Sequence, residues 1–358
     1  DTLIPSWIWN GQLADVSDVV EPLQDTLRAS ALQSVQHYDN VAQQRSIYAV
    51  PISQQAVYIH YWRDMLTEAG LDEADIPTEW DAFWDFWKMA QDNLRAQGKS
   101  DLYAMGLSMS PNASDTFKTL YQMLEAYDVD LLDDEGKLQV DTPQMRQKIA
   151  IALEWYTSFY MDGYVPEVAT TWSDSGNNGA FLNREVLMTI NPTLSIPGSQ
   201  REDDPDAYSE KIATIAFPNE PDGDAPTYFV RTNKAVIFKD SVNQDLAKEF
   251  LAFLMQSENL APYLEGAQGR YFPILNDMAN DPFWNDPADP HIFVGNQDYM
   301  QSNTRAIYHD VNGTYSQVNL NNVWGQAINS IVSDGTSPQD AADQVVDQIV
   351  QIFNDREP

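Results

Sequence analysis

Aromatic side chains set beside polar groups in turn-rich stretches are the residues here with the clearest chemical potential. They are Trp7-Ile8-Trp9-Asn10, Trp172-Ser173-Asp174, Tyr228 with Arg231, Arg270-Tyr271, and Trp324 at the start of a predicted helix. A pyranose has apolar C–H faces that stack on an indole and a belt of hydroxyls that need amide, carboxylate or guanidinium partners, and this mixture supplies both. A guanidinium also pairs with carboxylate or phosphate in a two-pronged geometry, so Arg231 in such a site would suit an anionic group. Tryptophan is more often core than ligand contact, and about half of these indoles are expected inside.

The catalytic signatures fail one by one. Gly266 and Gly269 lack the third glycine and following helix of a phosphate-binding loop. Gly106-Leu107-Ser108-Met109-Ser110 approaches a nucleophile elbow but has no second glycine. His37, His60, His291 and His309 form no i, i+4 pair. The acidic run Asp128, Asp130, Asp133, Asp134, Glu135 puts Leu132 and Asp133 where a calcium loop needs an oxygen ligand and a glycine, and so reads as a solvated turn before Gly136. With no cysteine, neither thiol catalysis nor a Cys-ligated metal is available. No catalytic residue, metal or cofactor is expected.

Composition narrows the class further. Lys and Arg number 20 against 54 Asp and Glu, a formal net charge of −34, which speaks against a nucleic-acid partner and an anionic membrane surface. At 43% hydrophobic residues the chain is globular rather than disordered, and its 358 residues correspond to about two domains. No apolar run reaches the roughly 20 residues of a membrane span. The chain opens at Asp1 without a basic, apolar leader, so a processed, exported protein is expected.

The elements that must position these residues alternate as strand and helix, an α/β pattern. Predicted strands are 47–52, 56–61, 102–108, 186–190, 212–217 and 229–238. One helix is predicted from Thr78 as N-cap, with Trp80, Phe83, Trp84, Trp87 and Leu94 on one stripe and Gly98 as stop. A second starts at Thr142-Pro143, a third carries Leu246, Phe250, Phe253 and Leu254, and a last one starts at Ser337-Pro338. Segments 197–205, 218–226 and 276–290 read as loops, the last long enough to cross between domains.

The segments Tyr48 to Asp64, Glu68 to Leu71, Pro77 to Asp81, Gly179 to Ile190, Ile215 to Pro218, Ala247 to Leu251 and Trp324 to Ala341 together resemble, in order, the extracellular solute-binding proteins of ABC importers. The resemblance is to the family-1 type that includes the maltose-binding protein. It implies a two-lobed periplasmic-binding-protein fold (type II), with three interlobe crossings and a cleft between lobes. Lobe one would be residues 1–55 plus 231–292, and lobe two 56–230 plus 293–358. Lobe one then comes out smaller, as if lacking its first strands and helices.

Carried over residue by residue, the resemblance places Trp7 and Trp9 in a stacking loop, Gln55 on the first crossing strand and Trp324 as a stacking indole, and their neighbours Asn10 and Gln54 join the expected ligand contacts. Trp172, Asn191, Tyr228, Arg231, Arg270 and Tyr271 complete the expected ligand contacts. The sequence departs from the family where Pro192, Thr193 and Leu194 follow Asn191, and where Tyr228-Phe-Val-Arg231 replaces a glycine-rich crossing. The implied activity is capture of a carbohydrate or a carbohydrate-derived anion by hinge closure, and delivery to the membrane permease subunits by a monomer. The implied location is periplasmic or extracellular, or lipid-anchored upstream of Asp1. The competing expectation is a carbohydrate-active hydrolase using a carboxylate pair, which 54 scattered acids neither support nor refute.

Overall fold

The structure, a computed structural model, describes residues 2–133 and 135–356. Asp1, and Asp134 of the acidic turn, lie outside the described residues.

The strands run β1 (Gln36–Asp39), β2 (Gln44–Ile47), β3 (Val50–Gln55), β4 (Tyr58–Trp62), β5 (Tyr103–Gly106), β6 (Val186–Asn191), β7 (Ile212–Ile215), β8 (Thr227–Ala235) and β9 (Asn303–Ala306). The β1–β2 hairpin stands apart, and the rest divide into a sheet ordered β3-β8-β9 and a sheet ordered β5-β6-β4-β7. In the first, β3 is antiparallel to β8, with Gln55 opposite Arg231, and β9 is parallel to the other half of β8. In the second, β5 and β6 are parallel while β4 is antiparallel to both β6 and β7. The two sheets are the cores of two lobes. Ala56 and Val57 alone separate β3 in one from β4 in the other. Five of the six predicted strands are present, and the sixth, 47–52, is broken at residues 48 and 49 between the end of β2 and the start of β3; the β1–β2 hairpin and β9 are short, polar-rich segments without the apolar signature that marks the others.

The helices used below are α1 (Ile4–Trp9), α2 (Trp80–Ala96), α3 (Ser114–Ala126), α4 (Pro143–Met161), α5 (Gly176–Leu182), α6 (Ser195–Asp203), α7 (Gln244–Leu254), α8 (Ile292–Gln301), α9 (Val323–Asp334) and α10 (Pro338–Arg356). In α2, Trp80, Phe83, Trp84, Trp87 and Leu94 are buried, the predicted stripe. Its start differs from expectation: the N-cap is Glu79, with no side-chain cap, because the Thr78 carbonyl is drawn off to the Asn219 N–H at 2.8 Å. Thr142 caps α4 through Oγ1, which accepts from Met145 N at 3.1 Å, and Ser337 Oγ accepts from Asp340 N at 3.1 Å ahead of α10. Segment 197–205, expected as a loop, lies largely within α6. Pro197 sits in the first turn, where a missing N–H leaves no carbonyl unserved. In α7 the predicted apolar face is only partly covered, since Leu246, Phe250 and Phe253 are exposed.

The core beside the β5-β6-β4-β7 sheet is an aromatic block. Trp84 meets Trp80, Phe83, Trp155, Phe159 and Phe217 with ring centroids 5.0–6.4 Å apart, mostly edge to face. Close packing of this kind makes the lobe a rigid wall for whatever its loops present.

Candidate functional site

The two-residue step from β3 to β4 places Gln55 at the junction of the lobes, and the sheet register sets Arg231 directly opposite it. With its oxygen turned toward the guanidinium, the Gln55 amide accepts from Arg231 Nε at 2.8 Å. Arg270 and Tyr271 are held beside this pair by the backbone. Phe272 N donates to Gln54 O at 2.8 Å and Gln54 N to Phe272 O at 3.0 Å, a one-residue extension of the sheet. The approach to Arg270 requires glycine at 269, whose φ is +80° and where a Cβ would lie 2.3 Å from Ile292 Cγ1.

From the other lobe, β6 ends at Asn191. Its Nδ2 donates to Thr193 O at 2.7 Å, and Thr193 Oγ1 accepts from Ser195 N at 3.0 Å, so the turn into α6 is tied down. The N-terminus of α3 comes in beside it. Asp174 caps that helix, its Oδ1 accepting from Ser114 N at 2.5 Å and Asp115 N at 3.2 Å.

These groups surround a cavity of about 500 Å³, large enough for a mono- or disaccharide-sized solute. Gln55, Asn191, Arg231, Arg270 and Tyr271, expected from the sequence, line it together. So do residues that the sequence reading missed: Asn112, Asp115 and Lys118 around the start of α3, Ser175 and Asn178 near α5, and Pro192, Thr193 and Ser195 after β6. Asp115 and Lys118 form an ion pair at 3.0 Å with an i, i+3 spacing common on exposed helix faces, so nothing in the sequence marks them as interior. Burial pushes the Asp115 carboxyl up from its ordinary value, opposed by Lys118, and burial lowers Arg231, opposed by Asp115 and other acids nearby. Asn178 Oδ1 is buried without a partner, an acceptor open to a hydroxyl.

The other expected contacts lie elsewhere. Trp324 is fully buried and donates from Nε1 to Tyr315 OH at 2.8 Å, inside the core under α9. Tyr228 is buried with its hydroxyl accepting from Phe217 N at 3.0 Å. Gln54 is saturated by Thr232, Ser30 and Tyr299. Trp172 packs over Gly176, where a Cβ would meet its Cγ at 2.3 Å, and contributes only its neighbours Ser173 and Asp174 to the cavity. Trp7 rests on Phe238, Trp9 faces Tyr38 and Asn10 is exposed. Trp9 and Tyr38 line a different cavity of about 340 Å³, with His37, Arg45 and Asn312. An indole in a turn and an indole in a core look alike in sequence, and only packing separates them.

The four histidines are buried, and each has a ring nitrogen against a protein partner: Ser34 O for His37, Thr214 Oγ1 for His60, Tyr208 O for His291 and Asn319 Nδ2 for His309. Among the described residues no three His, Asp or Glu side chains gather as a metal site, and no helix is long and apolar enough to cross a membrane. Asp133 Oδ1 accepts from Glu135 N and Lys137 N at 3.0 and 2.8 Å, which draws Glu135 and Lys137 back toward Asp133.

Comparison with known proteins gives this geometry a family. The chain is 24% identical over 242 residues to the putative ABC transporter periplasmic-binding protein YcjN of Escherichia coli, covering 66% of this chain and 50% of that protein. It is 22% identical over 284 residues to the arabinooligosaccharide-binding protein of Halalkalibacterium halodurans, covering 79% of this chain and 59% of that one. It thus spans little more than half the length of these relatives. Among solved structures, an ABC transporter solute-binding protein from Thermotoga lettingae bound with α-D-tagatose superposes with a TM-score of 0.76 at 17% identity, covering 98% of this chain and 83% of that one. The family profile described as bacterial extracellular solute-binding protein matches residues 2–293. With that match over most of its length, this chain belongs to the bacterial extracellular solute-binding protein family.

Proposed function

We propose that this protein is the substrate-binding component of an ABC importer and takes a carbohydrate or carbohydrate-derived solute in the cavity beside Gln55 and Arg231. One observation carries the reading: a cavity walled almost wholly by amides, hydroxyls and charged groups opens where the chain steps from one sheet to the other. Relatives named for arabinooligosaccharide and tagatose binding support the carbohydrate class. We divide the chain into lobe one, residues 1–55 plus 231–292, and lobe two, 56–230 plus 293–358. The Gln55-to-Tyr58 step and the change of partner along β8 at Val230 and Arg231 support these bounds.

The mechanism is hinge closure. A solute that touches Arg270 on one side and Asn191 or Lys118 on the other binds the closed form better than the open one, and shifts the population by that difference. The closed form then docks on the permease as a monomer, on the periplasmic or extracellular face of the membrane, free or lipid-anchored. No bond is made or broken: of the cavity's carboxylates, Asp174 caps a helix and Asp115 pairs with Lys118, which leaves the hydrolase alternative without its acid pair.

A thermal-shift and calorimetric screen against neutral sugars, polyols, sugar acids and sugar phosphates tests this, with each compound checked for breakdown. A ligand at a hundred times its Kd adds about 2.7 kcal/mol of stability. Stabilisation by one intact compound class is expected; no stabilisation by any compound, or its turnover, overturns the reading.

A further inference from the structure

We propose that the solute is acidic, a hydroxylated monocarboxylate such as a uronic or aldonic acid, its carboxylate seated between Arg231 and Arg270 on one side of the cavity and Lys118 on the other. This deepens the function proposed above and rests on it.

The charge of the wall is the first observation. The whole chain carries 20 cations against 54 acids, yet this cavity inverts the ratio, with Lys118, Arg231 and Arg270 facing Asp115 and Asp174. A neutral sugar gives no reason for cations to concentrate where the rest of the surface is depleted of them. The second observation is that both acids are already committed. Asp174 takes Ser114 N, Asp115 N and the Ser114 hydroxyl, the last at 2.9 Å, and Asp115 holds Lys118 at 3.0 Å. Arg270 makes no ion pair among the described residues and rests its guanidinium 5.7 Å from the Tyr271 ring centre. The surplus on the wall is one positive charge, which a single carboxylate neutralises and a phosphate dianion overshoots.

The lining also argues against a stacked neutral sugar. Tyr271 is the one aromatic among the lining residues, so the apolar face of a pyranose has no indole to meet. Amides and hydroxyls dominate instead, including the unpartnered Asn178 Oδ1, and these serve the hydroxyls of an open-chain or ring acid equally. Because Arg270 precedes a segment tied to β3 while Lys118 sits on α3 of the other lobe, a carboxylate held by both links the lobes electrostatically.

The test is calorimetry of the whole chain with matched pairs: D-galacturonate against D-galactose, D-glucuronate and D-gluconate against D-glucose, and D-glucose 6-phosphate as the phosphate arm. The expected result is that an acid binds at least about tenfold tighter than its neutral partner and tighter than the phosphate. Its affinity should fall several-fold between about 50 and about 500 mM NaCl. Arg270→Gln, at an exposed position that leaves the core untouched, should narrow the acid-over-neutral preference without lowering the melting temperature. Equal or tighter binding of the neutral sugars, or preference for the phosphate, overturns the carboxylate assignment and leaves solute binding standing. Failure of every acid and every neutral sugar overturns both.

Discussion

Asp298 of α8 is half-buried, its Oδ2 enclosed without a hydrogen-bond partner, and desolvation pushes its carboxyl up to about 7 from an ordinary 3.8. A raised acid binds its proton more readily in the folded state, so Asp298 penalises folding above about pH 7, and the penalty fades as pH falls toward 3.8. Asp298→Asn should therefore stabilise the protein by roughly 1–3 kcal/mol at about pH 8 and have little effect near pH 4, read from denaturant midpoints at both. His60 and His291 run the other way. Burial lowers them to about 3 and about 4, so their contribution is whole above 6.5 and is lost as pH falls toward those values. The Lys234–Asp310 pair, fully buried, gives a second expectation: Lys234→Met strands a charged carboxylate and costs about 3–5 kcal/mol, most of it recovered in Lys234→Met/Asp310→Leu. At this scale sequence was a partial guide. Arg231 and Gln55 could be found because a crossing strand must present its side chains at the junction. Trp324 could not, since its buried bond to Tyr315 leaves the same trace in sequence as a stacking indole.

The turn at Gly269 shows how an element, rather than a residue, builds the cavity. Its positive φ and the Ile292 side chain against its missing Cβ fix the direction in which Arg270 and Tyr271 leave the helix Ser257–Glu265 for the sheet extension at Phe272. Gly269→Ala should lower stability by about 1–3 kcal/mol and weaken solute affinity, whereas Gly70→Ala, also at positive φ but with open space around its Cβ, should cost stability alone. Calorimetry on both variants separates the two effects. The strands and long helices were legible because apolar periodicity is strong over six or more residues. The helical course of α6 was not, because Pro197 and Gly198 announce a break that the first turn of a helix does not need to honour.

As a whole the molecule carries −34 formal charges, and ion pairs such as Arg146 with Asp141, Asp343 and Asp347 absorb only a small part. Self-repulsion of the remainder is screened by salt, with a Debye length of about 10 Å at 0.1 M and about 3 Å at 1 M. The melting temperature should rise steadily from about 0.05 to about 1 M NaCl, in the direction opposite to the solute affinity inferred above; a flat or falling curve would show that repulsion is not what limits stability. The two-residue step between sheets has a further consequence, for the order in which the molecule is made. Ser6 is joined to Gln317, and Arg146 on α4 to Asp347 on α10, so these early segments complete their contacts only once segments 311 and 201 residues further along have been made. Contacts of such high sequence separation slow folding. While those contacts are unmade, the dense like charge keeps one chain from associating with its neighbours.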